Sequence, residues 1–480
     1  MSKMLLSVLS DAEIERIHEK TLEIFENIGV VISHDEALLK LKGAGARVDE
    51  ASGRVRFPAK MVDELIAAAP PVAPATGIGG RKLEIGGDNR YYLSLILDPF
   101  IIDHDKGPRP PVLEDVRRHT ILGESLDRVD AMMRMQCPVA DVPEPDCYNK
   151  TKEIFLCHAT KHITAMPASA EDCRDWMDLM DVITGAAGLD AAVTPFLSLA
   201  VAITTPLQLH GLNVEIIKSG IQRCYPLIPT VCPMAGTTSP YSVAGTGLLA
   251  NVESLLLVLI TQVYKPGHPV LYTVGPSVTD MKSGHDLYYR TEKMLFKLIG
   301  TQMAKHYGLP IGGEAAGTMV PRADVQNGAE GMMYLLSSVA GGQNLISGLG
   351  SLHNANGMSA EQIVMQCGMI DMAEYVARGV DTSERKLAVD SIRKTGPGGN
   401  FLTDDLTIEM LRGEEFFDSE HLDLSGGYVG GVPSMLEKAR QTVDDLVTNY
   451  KPTVPEAVQT AVREYFRDKY KSPEVADIGW

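Results

Sequence analysis

The sequence predicts an α/β fold, a TIM-type (β/α)8 barrel with a helical N-terminal segment and a helical C-terminal extension. From residue 129 onward, short apolar runs alternate with helical stretches, which is the order expected when parallel strands are joined by helices. Residues 229–284 hold a complete β-α-β unit, in which Pro266-Gly267 stops the helix before a second buried strand. An open, doubly wound sheet shows the same alternation and stays the structural alternative.

Seven of the eight strands can be placed from apolar runs bounded by turn residues. The eighth is predicted either at Tyr91–Ile96 or at Leu387–Ile392. We therefore expect an N-terminal helical and hairpin segment over 1–128, the barrel over 129–400 and a helical extension over 401–480. The seven predicted strands are Val129–Gln136, Ile163–Met166, Phe196–Ile203, Leu227–Cys232, Val270–Val274, Pro310–Ala315 and Asn344–Ser347.

Charge and cysteine usage limit the partners and the compartment. The chain has 480 residues and a formal net charge of −18, which argues against nucleic acid and anionic membranes as partners, because both attract basic surfaces. The seven cysteines form no C-x-x-C pair and indicate reduced thiols in a cytoplasmic protein. The longest apolar run, Leu255–Ile260, is much shorter than the roughly 20 residues of a membrane span.

Barrel enzymes place their chemistry at the carboxyl ends of the strands, and two of the predicted strand ends carry suitable groups. Glu314 ends an apolar strand, and Arg322 and Gln326 follow it in the same loop. His353 lies in the glycine-rich loop after the next strand. We expect these four side chains to meet at one mouth of the barrel. The alternatives are a structural ion pair between Glu314 and Arg322, and a histidine that only caps its own loop.

Other polar and aromatic residues near strand ends are weaker candidates. Gln136 and Thr205 end or follow strands with hydrogen-bonding groups, and Tyr92 and Phe196 offer aromatic faces of the kind that bind quaternary ammonium ions. Taken alone, each aromatic ring fits a place in the core better than a place in the site.

One possible metal site also stands out, although common catalytic motifs do not. Cys157-His158 and His162 have a spacing that places two imidazoles on one helix face, which is compatible with zinc or with ordinary packed histidines. The sequence contains no P-loop, no H-E-x-x-H and no G-x-S-x-G.

Several segments together resemble the trimethylamine methyltransferase family, and they extend over nearly the whole chain. The resemblance implies a TIM barrel that moves a methyl group from a methylated amine to a corrinoid protein, as in methanogenesis-type methyl transfer. Trimethylamine members carry pyrrolysine in the region matching Gly317–Gln326, where this chain has ordinary residues. The resembling segments are Val48–Pro58, Pro233–Pro240, Asp280–Gly284, Tyr307–Pro310, Ala323–Glu330, Ala340–Ser347 and Gly398–Leu402.

Without pyrrolysine, the chain is similar to the family members that act on betaines. We expect a methyltransferase for a small-molecule quaternary amine, glycine betaine first, with the Co(I) of a corrinoid on a partner protein as acceptor, not tightly bound to this chain. Proline betaine, carnitine and gamma-butyrobetaine are alternative substrates. The expected catalytic residues are Glu314, Gln326 and His353, and the expected substrate-binding residues are Arg322, Tyr92, Gln136, Phe196 and Thr205.

Two other functions remain open at this point, together with the expected assembly. One is a metal-dependent barrel hydrolase or lyase that uses His158 and His162. The other is a non-catalytic barrel that senses a betaine or a corrinoid protein. In each case we expect a homo-oligomer that binds neither nucleic acid nor membrane.

Overall fold

The computed structural model describes residues 4–96, 98–134, 137–144, 146–190, 195–413, 415–426 and 430–479. Its centre is an eight-stranded sheet in which all neighbouring strands run parallel. The strands are β1 (Tyr91–Leu95), β2 (Ala131–Met133), β3 (His162–Ala165), β4 (Leu197–Ala202), β5 (Leu227–Thr230), β6 (Tyr272–Thr273), β7 (Ile311–Glu314) and β8 (Leu345–Leu349).

The sheet closes into a barrel. Neighbours follow one another in chain order from β1 to β5 and from β6 to β8, and β8 pairs with β1. Between β5 and β6, Leu227 forms a parallel bridge with Val270, and the Leu271 amide donates to the Leu227 carbonyl over 2.9 Å. The predicted barrel is therefore confirmed, and the open sheet is wrong.

The barrel strand that the sequence left uncertain is β1, the first barrel strand in chain order. β1 lies inside the segment 1–128, ahead of residue 129, where the barrel was expected to begin. The competing candidate, Leu387–Ile392, falls on two short helices, Glu384–Leu387 and Val389–Thr395. A strand at β1 is favoured because its residues are buried on both faces, which is typical of parallel strands covered by helices.

Among the described residues, eight helices surround the barrel, one after each strand. They cover the outward-facing side chains of the strands, for example Tyr92, which is 4% exposed. The helices are α1 (Leu113–Ser125), α2 (Cys147–His158), α3 (Ala170–Ala186), α4 (Gly211–Gln222), α5 (Val243–Tyr264), α6 (Glu292–His306), α7 (Val325–Gly341) and α8 (Ala360–Ala377).

Helix α5 is mainly apolar, and most of its residues are buried between neighbouring helices. Among the described residues it is the one helix long and apolar enough to span a membrane, and 78% of its apolar window is buried inside the fold. It packs against α4, α6 and the N-terminal helices. Its polar Asn251 is satisfied internally, since it donates to Thr21 over 2.8 Å and accepts from the Tyr272 hydroxyl over 2.7 Å.

The N-terminal segment forms a small α/β layer on the outside of the barrel. One of its strands, Val30–Ser33, pairs with Gln208–His210, which follows β4, so this layer is tied directly to the barrel. Its helices are Asp11–Glu23, extended by one π-helical turn at Ile24–Ile28, then Asp35–Gly43 and Ala59–Ala68, and its strands are Val30–Ser33, Arg47–Asp49 and Arg54–Arg56.

A hairpin covers the amino end of the barrel. Its strands, Val72–Thr76 and Lys82–Gly86, are antiparallel. The Thr76 amide donates to the Pro195 carbonyl just before β4, and the Gly79 amide donates to the Thr160 carbonyl just before β3, each over 3.0 Å. This end of the barrel is therefore closed by backbone.

The C-terminal extension is helical, as expected, and wraps the barrel helices. Met435–Thr448 packs on α8 and α1, and Glu456–Arg467 packs on α2 and α3. Two shorter helices, Asp405–Met410 and Pro473–Ala476, complete this region.

Two small sheets stand at the carboxyl end of the barrel and flank its mouth. The first joins Met234–Ala235, Ser277–Thr279 and Asp286–Leu287, which follow β5 and β6. The second joins segments that follow β8 and β1, namely Ser351–Leu352, Gly357–Met358, Phe100–Asp103 and Gly107–Arg109.

Candidate active site

A cavity of about 320 Å³ opens at the carboxyl end of the barrel. All eight strands or the residues directly after them contribute to its wall. Side chains alternate along a strand, so Leu93 and Leu95 of β1 face the cavity, while Tyr92, the residue before Leu93, faces the helices. The wall is mainly apolar, with polar groups at a few points, as in most small-molecule sites. Polar lining residues include Thr164, Thr273, Ser347, Asp98, Glu314 and Lys297.

Glu314, the last residue of β7, lines the cavity as expected. Its carboxylate accepts hydrogen bonds from two tyrosine hydroxyls, Tyr288 over 3.1 Å on Oε2 and Tyr289 on Oε1. Burial, and then the charge of Glu314, raise the pKa of both tyrosines well above their usual value. Both phenols therefore keep their protons and act as donors to this carboxylate.

The tyrosine pair is held by the loop after β8. Asn354 Oδ1 accepts from the backbone amides of Tyr288 and Tyr289, over 2.7 and 3.2 Å. Glycines make room for the cluster: a Cβ on Gly317 would lie 1.9 Å from the Tyr289 ring, and one on Gly348 would lie 2.6 Å from Glu314 Cγ. These positions require glycine because the neighbouring atoms are packed.

A buried lysine reaches the cavity from helix α6. Lys297 is 2% exposed, and its Nζ donates to the Val274 carbonyl just after β6. Burial lowers its pKa to about 8. Gly313 of β7 allows this approach, since a Cβ there would lie 2.5 Å from Lys297 Nζ. Lys297 therefore brings a titratable cation to a wall that also carries Glu314.

A second buried lysine packs against the ring of Tyr288. Lys293, one turn before Lys297, lies with Nζ 2.9 Å from the centre of the Tyr288 ring and 3.4 Å from the Gly275 carbonyl. Burial, and then the charge of Lys297, hold the pKa of Lys293 well below its usual value.

Asp98 is a second carboxyl group in the cavity. It lies shortly after the end of β1 at Leu95 and is 3% exposed. Its hydrogen bond, from Ser351 Oγ to Oδ2, is long, at 3.5 Å. Burial, and then the charge of Glu314, raise its pKa well above the usual value. Sequence reasoning missed Asp98, although a carboxyl group after an apolar strand is the same signal that identified Glu314.

The structure does not bring Arg322, Gln326 and His353 to the cavity beside Glu314. Arg322 has a side chain 59% exposed and pairs with Asp324. Gln326 donates to Glu330 over 2.7 Å on the surface of α7. His353 packs edge-on against Phe100, with ring centres 6.4 Å apart. The expected meeting of the four side chains is absent because the loop after β7 leaves the mouth and runs outward to the start of α7.

The other predicted substrate-binding residues that the structure describes, Tyr92, Phe196 and Thr205, also lie away from the cavity wall. The Tyr92 hydroxyl points outward and donates to Glu374 of α8 over 2.5 Å. Phe196 precedes β4 at the amino end and is 3% exposed in the core. Thr205 lies in the loop that leads from β4 to Gln208–His210. Gln136 lies outside the described residues.

His158 and His162 do not form a metal site. His162 bridges the Thr76 carbonyl and Ser198 Oγ at the amino end of the barrel, over 3.1 and 2.8 Å, and burial lowers its pKa to about 4. His158 instead contacts the carbonyl one turn back in its own helix, at 2.8 Å. The zinc interpretation therefore fails because each imidazole has a separate backbone partner.

In the described ranges, one group of acidic and histidine side chains is close enough to share an ion, and it lies far from the cavity. It comprises His34, Glu36 and Glu215 on the surface. Lys218 already bridges the two glutamates, over 2.5 and 3.1 Å. A lysine ammonium thus occupies the place between these carboxylates.

Comparisons with known proteins identify the family. The family model described as trimethylamine methyltransferase (MTTB) matches residues 2–473. Trimethylamine methyltransferase MttB of Desulfitobacterium hafniense is 26% identical over 97% of this chain and 95% of its own length. Glycine betaine methyltransferase of another strain of that species is 27% identical over 93% of both chains.

A solved structure has the same fold. The monomethylamine methyltransferase MtmB of Methanosarcina barkeri aligns with a TM-score of 0.53 at 12% sequence identity, over 92% of this chain and 89% of that one. This likeness supports the barrel assignment and says nothing about substrate. Since the family model covers almost the whole chain, the protein belongs to the trimethylamine methyltransferase family and is a methyltransferase.

Proposed function

We propose that this enzyme transfers a methyl group from glycine betaine to the Co(I) of a corrinoid carried by a partner protein. Among the relatives, one is named for trimethylamine and one for glycine betaine, at nearly equal identity. Overall sequence identity therefore does not choose between a simple methylamine and a betaine, and beside the ordinary residues at Gly317–Gln326 the choice rests on the cavity.

The observation that carries the proposal is that one small cavity contains groups of both charges. Glu314 and Lys297 line the same 320 Å³ space. A betaine has a quaternary ammonium and a carboxylate separated by a short linker, so it needs an anionic and a cationic contact close together. Trimethylamine has no carboxylate that could pair with Lys297.

The two ends of the substrate can be assigned to the two charged groups. The quaternary ammonium belongs near Glu314 and the ring of Tyr288, because carboxylates and aromatic faces both attract such cations. The carboxylate belongs near Lys297, whose ammonium has three donors and uses one of them on the Val274 carbonyl. Lys297 thus has the substrate-binding role that the sequence suggested for Arg322.

The chain's own contribution to the reaction is positioning and electrostatics. When the methyl group leaves, the C–N bond breaks and its electron pair stays on nitrogen, so a neutral amine departs without needing a proton. The tyrosine hydroxyls disperse the charge of Glu314, which keeps this carboxylate from binding the substrate cation much more tightly than the transition state.

The methyl acceptor would approach from the mouth of the barrel. When bound there, a corrinoid would supply the nucleophilic Co(I), so no nucleophile from this chain is needed. An acceptor at this place is supported by the cavity wall, which is built from the barrel strands and from residues just after their carboxyl ends. A homo-oligomer, and a cytoplasmic location without nucleic acid or membrane partners, remain part of this proposal.

Other betaines satisfy the same charge pattern and are the second candidates. Proline betaine, carnitine and gamma-butyrobetaine differ from glycine betaine in the distance and bulk between ammonium and carboxylate. The metal-dependent hydrolase is not supported, because His158 and His162 have other partners.

A substrate screen tests the proposal directly. Purified enzyme is mixed with free cob(I)alamin and each amine in turn, and loss of the Co(I) absorbance is followed. We expect methylation with glycine betaine or another betaine, and little with trimethylamine or tetramethylammonium. Turnover with trimethylamine alone would reject the betaine assignment, and no turnover with any amine would favour a binding protein without catalysis.

A further inference from the structure

Asp98 is a buried carboxyl group to which the described residues offer no cationic partner. It is 3% exposed, and in the part of the chain that the structure describes the groups that act on it are Glu314 and Ser351, neither of which is a cation. Its hydrogen bond from Ser351 is at the upper limit of length, 3.5 Å. Buried carboxylates persist only when they are paired. This group is therefore either protonated and neutral, or ionised and paired with the cation of a bound ligand.

Its position relative to Glu314 indicates which cation that is. Asp98 follows β1 and Glu314 ends β7, and only β8 lies between these strands. Neighbouring strands are about 4.8 Å apart, so the two strand ends are separated by roughly 10 Å. Both side chains line the same cavity. A single cationic group between them can contact one carboxyl group on each side.

We propose that Asp98 is a specificity-determining residue that faces the quaternary ammonium opposite Glu314, and that it gives up its proton to solvent when the cation binds. The inference rests on the proposed function and extends it, since it assigns a proton change to substrate binding. The bound cation replaces the proton as the partner of the carboxyl group.

The surroundings of Asp98 are consistent with this exchange. The titratable groups that act on it or feel its charge are Glu314 of β7, Tyr289 before α6 and Cys137 after β2. Burial raises the pKa of the tyrosine and of the cysteine, the latter to about 12, so both stay neutral. Glu314 is then the charged neighbour, and its negative charge favours the protonated form of Asp98 until a cation arrives.

The exchange also suits the reaction. The substrate loses its positive charge when the methyl group leaves, and two fixed carboxylates would then face a neutral amine. If Asp98 takes a proton back from solvent at that stage, the cavity returns to its original charge and the product is not held by unpaired anions. The reversible carboxyl group thus avoids leaving two unpaired anions beside the neutral product.

Calorimetry measures the proton directly. Glycine betaine is titrated into the full-length enzyme at about pH 6.5 in two buffers of different ionisation enthalpy, and the difference in heat gives the protons released. At this pH Lys297, with a pKa of about 8, holds its proton before and after binding. We expect release of about one proton per betaine.

Two variants identify the source of the proton. Asp98→Asn keeps the shape of the protonated carboxyl group, so the melting temperature should be close to that of the parent. It should abolish proton release and raise the KM for glycine betaine about 30-fold, the lower end of the cost of breaking a desolvated charge pair. The control is Asp105→Asn, because Asp105 is exposed in the turn between Phe100–Asp103 and Gly107–Arg109. This variant should change neither the proton release nor the KM.

The possible results distinguish a failure of the role of Asp98 from a failure of the proposed function. If glycine betaine binds the parent enzyme without proton release, or if Asp98→Asn still releases the proton, the role of Asp98 is overturned while the proposed function stands. If neither glycine betaine nor tetramethylammonium produces a binding heat or turnover, the proposed function fails and the role of Asp98 fails with it.

Discussion

Replacing Lys297 with methionine should weaken betaine binding while it makes the folded enzyme more stable. Methionine keeps the length of the side chain and removes the ammonium, which is 2% exposed and faces the cavity. A residue that only supports the fold would show a loss of stability instead. The opposite signs expected for binding and stability make this variant informative.

The magnitudes follow from the burial of Lys297. Lowering its pKa from 10.5 to about 8 disfavours the folded state by about 3 kcal/mol at neutral pH, since each pKa unit corresponds to about 1.4 kcal/mol. The methionine variant removes this penalty, but it also loses the hydrogen bond to the Val274 carbonyl, which destabilises the fold by about 1 kcal/mol. We therefore expect a net gain of about 2 kcal/mol in the free energy of unfolding. Loss of the charge contact should raise the KM for glycine betaine about 30-fold or more.

The assay combines steady-state methylation of free cob(I)alamin with thermal and denaturant unfolding on the same preparation. Lys305→Met is the matched control, because Lys305 lies on the same helix and donates to the Gly341 carbonyl away from the cavity. This control should leave the KM at the parent value. An unchanged KM in Lys297→Met, or a fall in its melting temperature, would refute the reasoning.

Three further outcomes are expected. The KM for glycine betaine should rise above about pH 8, where Lys297 loses its proton, and a pH-independent KM in the methylation assay would contradict this. Protein stability should increase from about pH 8 towards 10.5, because the unfolded chain then binds more protons than the folded one. Gly317→Ala should reduce kcat at least about 100-fold, since a Cβ would lie 1.9 Å from the Tyr289 ring and a misplaced group is costly to catalysis; circular dichroism should still show a folded barrel. Arg322→Ala should leave the KM within about twofold of the parent, because this side chain is 59% exposed and pairs with Asp324; a large increase would restore Arg322 to the site.

The barrel was readable from the sequence because its strands are buried on both faces and appear as separate apolar runs. All seven strands predicted beyond residue 129 are present, although several are shorter than predicted. β1 was ambiguous, since Tyr91–Leu95 is followed by Asp98-Pro99 and by the hairpin strands rather than directly by a helix. This uncertainty also hid Asp98, which was not considered as a residue at a strand end.

The charged residues of the cavity were harder to find, with Glu314 as the exception. Lys293 and Lys297 are four residues apart on an amphipathic helix, a pattern that usually indicates a solvated face. Only the packing shows that Gly313 opens the barrel wall to Lys297. Conversely, Arg322 was close to Glu314 in sequence, but the direction of a long loop cannot be deduced from spacing.

The central claim is that the cavity accepts a zwitterionic quaternary amine and releases one methyl group from it. The most direct measurement is a single-turnover reaction with glycine betaine labelled in its methyl groups, in which labelled methylcobalamin and dimethylglycine are both quantified. The account predicts that the two products form in equal amounts with the parent enzyme and are strongly reduced in Lys297→Met. Methyl transfer from tetramethylammonium or trimethylamine at a rate equal to or above that from every betaine tested would contradict it.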